Sequence, residues 1–135
     1  MNYSGVGKRA LATVVDSILC FVGFGFIIAL LTGGVNESGI GFSLDGLPAF
    51  MVFFLWFAYY VVMEATIGAT VGKLIVGIRV KKSDESSIGW QSSLVRNILR
   101  IVDGIFFYLL GAIFVWNSPN RQRLGDRIAG TVVTD

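Results

Sequence analysis

Residues 61–82 read VVMEATIGATVGKLIVGIRVKK. A long apolar run ends at an acid, Glu64. A glycine-rich turn and Lys73 follow. Then comes LIVGIRVKK, 74–82, whose alternation and β-branched residues predict a strand. A membrane-length segment thus ends within a few residues of something with β character. The fold turns on whether that β element finds a partner, because an isolated strand is not stable.

Going upstream, residues 47–67, LPAFMVFFLWFAYYVVMEATI, predict a helix with Pro48 in its first turn. Trp56, Tyr59 and Tyr60 lie deep in it, where some of them pack against another helix. Residues 10–32, ALATVVDSILCFVGFGFIIALLT, carry one charge, Asp16. About 20 residues at 1.5 Å rise cross a bilayer core, so both runs are long enough to span. The first is too long for a signal peptide, holds an acid, and precedes no A-x-A cleavage site. Between the two runs, residues 33–46 form a polar, glycine-rich loop.

Going downstream, residues 94–116 are apolar but include Arg96, Arg100 and Asp103. Their charge-free part, 104–116, spans roughly 20 Å as a helix, short of a ~30 Å core. The tail, 117–135, carries Arg121, Arg123 and Arg127 and ends in a second β-prone run, GTVVT.

Charge placement gives orientation. Lys8 and Arg9 precede the first helix, the 33–46 loop holds none of the 11 basic residues, and 68–93 holds four. The positive-inside rule then puts the N-terminus and the middle segment in the cytoplasm. If 94–116 crosses, the arginines of the tail lie outside, against that rule. If it enters and returns, breaking near Asp103–Gly104, the tail stays inside and GTVVT can pair with LIVGIRV. The second reading is favoured.

The expected fold is a single α-helical membrane domain over 1–135. It has two full transmembrane helices, a third short or re-entrant segment, and a small cytoplasmic two-stranded β element.

Composition agrees with lipid as the solvent: 54% of the 135 residues are hydrophobic and only 15% charged, against about a quarter charged in soluble domains. Mean hydropathy is +0.72. There is no histidine, which removes the commonest general base and metal ligand. Cys20 stands alone, so no internal disulfide forms. GATVGKL lacks one residue of a phosphate loop and has Leu74 where Ser or Thr is needed. Gly68 and Gly72 have helix-dimer spacing but sit at or beyond a helix end. No nucleophile–base pair stands out. Neither an enzyme nor a cofactor, metal or nucleic-acid partner is expected.

The candidate site residues are the charges in or beside the apolar runs. Asp16 sits roughly 9 Å into its helix. An acid there costs about 2.5–3.5 kcal/mol on insertion, so it faces a partner or water. It is either a cation or proton site, or half of a structural ion pair. Arg9 is on the same side but about 10.5 Å away along the axis, so another basic group would pair better. Arg96, Arg100 and Asp103 share one helical face, which either meets lipid phosphates or turns inward toward Asp16. Glu64 can reach water or Lys73. Asp126, between Arg123 and Arg127, either pairs locally or meets Arg9 or Arg79 from elsewhere in the fold.

GKRALATVVDSIL (7–19), EATIGATVGKLIVGIRV (64–80), RNILRIVDGIFFYLLG (96–111) and NRQRLGDRIAGTVV (120–133) together resemble the RDD family of small prokaryotic membrane proteins. The family is named for one arginine and two aspartates. Arg9 and Asp16 match the first two, and Asp126 matches the third, with Asp103 the other candidate. The resemblance implies a prokaryotic inner-membrane protein. It also implies transport as Na⁺(Li⁺,K⁺)/H⁺ antiport, for which an intramembrane carboxylate could bind proton and cation in competition. Two spans enclose no pathway, so a carrier would be a homo-oligomer. The rival reading is a membrane scaffold or accessory subunit in which these residues are structural locks.

Overall fold

A computed structural model describes residues 2–37, 41, 43–105 and 109–135; residues 38–40 and 42 of the expected loop and 106–108 of the third segment lie outside it. Two long helices, α1 (Val6–Thr32) and α2 (Leu47–Ile67), pack along each other. They are the two among the described residues long and apolar enough to cross a membrane. The bounds of α2 are those expected: Pro48 starts it, and Gly68 in the left-handed region (φ +74°) stops it, its N–H bonded to Glu64 O. Helix α1 starts four residues before the expected Ala10. The charges at Lys8 and Arg9 therefore do not end it, because Arg9 is buried by a partner from the far end of the chain.

Both helices are inside out relative to a soluble protein. The inward positions of α1 include Arg9, Ala12, Asp16 and Cys20, at helical spacing, while Leu11, Val14, Ile18, Val22 and Leu30 face outward. In α2 the inward row is Val52, Trp56, Tyr60 and Glu64, with Phe50, Phe54 and Val62 outside. An apolar outer face around a polar interior suits lipid, where ionisable groups turn toward the bundle. Cys20, Trp56 and Tyr60 form the upper core, with Phe24 and Tyr59 against it.

After Gly68 the chain does not enter a strand at Leu74. Leu74–Val76 belong to a short helix, α3 (Val71–Val76), which corrects the strand expected over the whole of 74–82. Thr70 caps α3, its hydroxyl accepting from Lys73 N, and Gly77 (φ +76°) closes it. The β-branched residues yield because α3 docks closely on α1: a Cβ on Gly72 would lie against Ala12 O and 2.8 Å from Asp16 Cγ. Tertiary packing overrides a weak strand propensity.

The strand begins five residues after Leu74, as β1 (Arg79–Lys82), and it has the partner the sequence called for. It pairs antiparallel with β2 (Thr131–Thr134), with Val80 opposite Val133. The N-terminal segment joins them: Ser4 N donates to Val133 O at 2.8 Å and Asp135 N to Asn2 O at 3.0 Å. Ile78, Val80, Ile88 and Val133 pack on Ala12 of α1 as a second core. Both termini and both strands thus gather at one end of the helix pair, and the 33–46 loop joins the helices at the other.

The third apolar segment is two helices, α4 (Trp90–Ile105) and α5 (Leu109–Asn117). Helix α4 runs through Asp103 and Gly104 to Ile105, and the expected break beside them borders residues 106–108, outside the described part. The chain then returns to lay α6 (Leu124–Ile128) on the middle of α4, where Gly125 sits against Arg96 and Leu99. In α4 the inside-out pattern recurs: Ser93, Arg96, Asn97, Arg100 and Asp103 face in, and Leu94, Ile98 and Val102 face out.

Candidate functional site

Two buried polar centres result. The first is a charge network where α1, α2, α3, α4 and α6 meet. Asp126 takes Arg9 Nη1 on one oxygen at 2.8 Å and Arg96 Nη2 on the other at 3.1 Å. The same carboxylate accepts from Arg123 N at 3.1 Å, capping α6. Arg96 continues to Glu64, Nε to Oε2 at 3.0 Å, and to Thr131 Oγ1 at 3.1 Å. Glu64, fully buried, also takes Lys73 Nζ, Arg100 Nη2 at 3.5 Å and Asn97 Nδ2 at 3.0 Å. The Arg100 guanidinium lies 4.0 Å over the Tyr60 ring, a cation–π contact that strengthens away from water. Asp103 is buried on the same face of α4, and with Arg100, Arg123 and Asp126 it lines one small cavity.

Charged groups taken out of water need this degree of pairing. Removing one partner from a buried ion pair costs about 3–5 kcal/mol, because the other charge is left uncompensated. Burial pushes the Asp126 carboxyl up, but Arg96, Arg9 and Arg123 outweigh it, and its pKa ends below the ordinary 3.8. The network therefore holds Asp126 ionised.

The second centre is Asp16, which is fully buried. Tyr59 OH and Gly72 N donate to its Oδ1 at 2.8 and 2.7 Å, and the Thr70 hydroxyl donates to Oδ2. The Tyr59 oxygen in turn accepts from Val71 N at 2.9 Å. Asp16 thus ties α1 to α2 and to the first turn of α3, and the close approach of Gly72 is what brings its N–H within reach.

Of the sequence candidates, Glu64, Arg100, Arg9 and Asp126 come together in one network, with Asp103 at its edge. Asp126 meets Arg9, one of the two distant partners expected for it, and Glu64 meets Lys73. The basic partner expected for Asp16 is a correction: among the described residues its donors are neutral. Likewise the Arg96–Arg100–Asp103 face turns inward, toward Glu64 and Asp126 rather than toward Asp16 or lipid phosphates. Sequence reasoning missed Tyr59, Thr70, Gly72 and Asn97. The signal available was Thr70 as a helix cap ahead of Lys73.

A family model described as the RDD family matches residues 3–130. Two curated relatives, each a proline-rich antigen homolog of Mycobacterium tuberculosis (strains CDC 1551 / Oshkosh and ATCC 25618 / H37Rv), are 25% identical over 153 residues. The alignment covers 97% of this chain and 62% of each relative, so the chain spans less than two thirds of their length. No solved structure matches it.

Proposed function

The chain belongs to the RDD family, and we propose that it is a non-enzymatic membrane scaffold or accessory module whose arginine and aspartates are structural locks. The observation that carries this reading is the use made of the acids. Glu64 and Asp126 are each held by two or more cations drawn from different helices. Such groups join elements rather than wait for a ligand. In this reading α1 and α2 span the inner membrane of a prokaryote. The strands, both termini and α6 lie at the cytoplasmic face, where the positive-inside rule favours their lysines and arginines.

One observation favours a second reading, cation–proton exchange at Asp16 by a homo-oligomer. Asp16 has no lysine or arginine partner among the described residues, so Na⁺, Li⁺, K⁺ or a proton could balance its charge.

One experiment separates the two. Purified wild type and Asp16→Asn are reconstituted into liposomes with a pH dye inside, and Na⁺, Li⁺ or K⁺ is added outside. The scaffold reading expects no cation-driven proton movement from folded wild type. Movement that is lost in a folded Asp16→Asn protein sinks it in favour of exchange. A charge swap, Arg9→Asp with Asp126→Arg, tests the lock itself: each single change lowers the folded yield, and the double change recovers part of it.

A further inference from the structure

Beside α1, where α5 leaves it, runs an open groove of about 490 Å³. Its walls are apolar, formed by Ala10, Val14 and Ile18 on one side and Ala112 on the other, and Arg9 and Arg123 line it as well. Arg9 is 4% exposed and gives Nη1 to Asp126, while its Nε and Nη2 have no hydrogen-bond partner among the described residues. A buried guanidinium with two unused donors is costly unless an acceptor reaches it. The charges behind it are unbalanced too. Five cations, Arg9, Lys73, Arg96, Arg100 and Arg123, surround one water-sized cavity. Among the described residues, the carboxylates that face them are three, Glu64, Asp126 and Asp103.

We propose that this groove is a binding site for one anionic phospholipid, its phosphate drawn to the Arg9–Arg123 end and an acyl chain lying along α1 and α5. Charge complementarity selects the occupant. An apolar trough alone accepts any acyl chain, but a trough ending at two arginines, in front of a cluster with surplus positive charge, prefers a negative headgroup. Basic pockets between membrane helices recognise such headgroups through the same attraction. A second copy of this chain would have to present an acid there.

This inference rests on the membrane placement proposed above, and one experiment distinguishes their failures. The protein is extracted from liposomes made of equal parts phosphatidylglycerol and phosphatidylcholine, then weighed intact in detergent by native mass spectrometry. Wild type is expected to retain one phosphatidylglycerol in preference to phosphatidylcholine. Arg123→Gln lowers that preference about fivefold, the effect of one cation near a lipid surface. Ala112→Trp fills the trough without touching an ion pair, so it removes both lipids even if Arg123→Gln fails to fold. Inorganic phosphate leaves the bound lipid in place. Equal retention of the two lipids, wild-type retention by Ala112→Trp, displacement by phosphate alone, or a lipid-free dimer overturns the site. Protein that needs no detergent overturns the membrane placement instead.

Discussion

Asp16 and Glu64 are both fully buried carboxylates, one on each long helix, and the protein treats them in opposite ways. Glu64 is met by Lys73, Arg96 and Arg100 and by the amide of Asn97. Asp16 is met by two hydroxyls and a backbone N–H. In a medium of low dielectric, charges compensate one another strongly, and a lost charge is felt by every partner. Neutral donors respond to lone pairs more than to net charge, so an isosteric amide can satisfy part of the same cage. The difference separates two jobs. Glu64 holds helices together by being charged, while Asp16 holds them by being an acceptor.

The comparison breaks most visibly at Glu64. Glu64→Gln leaves Lys73, Arg96 and Arg100 facing an uncharged group. A loss of about 3–5 kcal/mol is expected, read as a lower midpoint when the detergent-solubilised protein is unfolded with increasing dodecyl sulfate. A loss under about 1 kcal/mol, the worth of an ordinary hydrogen bond, would mean that the cations are compensated by something else. Acid tests the same network from the side of Asp126. Because its pKa lies below the ordinary 3.8, its contribution is complete above that value and drains as pH falls through the folded value. Wild type should lose stability below pH 3.8 more steeply than Asp126→Asn, which is weaker at neutral pH but has no such acid limb. Parallel acid limbs in the two proteins would remove Asp126 from the lock.

Smaller effects belong to the Asp16 centre. Gly72→Ala puts a methyl against the Ala12 carbonyl and 2.8 Å from Asp16 Cγ, and backbone does not move aside as a side chain would. Overpacking of this kind costs about 1–3 kcal/mol. Asp16→Asn keeps an oxygen for Tyr59 and Gly72 and turns an amide toward the Thr70 oxygen. Its expected cost is about 1 kcal/mol, well under that of Glu64→Gln by the same measurement. If Asp16→Asn is instead the more damaging of the two, Asp16 acts through its charge, and the contrast drawn between the centres collapses.

The sequence carried one of these centres better than the other. The ends of α2 were legible because a proline and a glycine bound an unbroken apolar run. The pairing of Glu64 with Lys73 was legible because opposite charges flank a short glycine turn. Arg9 with Asp126 stood among the alternatives, although 117 positions separate them. The Asp16 cage was not legible. A search for countercharges passes over a tyrosine, a threonine and a backbone amide, and the amide becomes available only through the close docking of Gly72. The same docking explains the misread start of the strand: the local pattern of 74–80 is β-like, and what makes Leu74–Val76 helical is contact with α1, which no local pattern encodes. The start of α1 was misplaced for a related reason, since a charge at Arg9 marks a helix end only until its distant partner is known.

A last pair calibrates the scale. Lys8 Nζ lies 2.8 Å from Asp135 Oδ2, as short as the bond from Arg9 to Asp126, and it too joins α1 to the end of the chain. The side chains of Lys8 and Asp135 remain 50% and 38% exposed. Water and salt therefore screen them, and ordering two mobile side chains offsets much of the attraction. Lys8→Ala should change stability by no more than about 0.5 kcal/mol at moderate salt, and what change there is should shrink as salt is raised. Equal distances would then give unequal energies, with burial as the variable that differs. A Lys8→Ala loss matching that of Asp126→Asn would mean that the tail is held at its last residue, and that the buried network is a consequence of the docking rather than its cause.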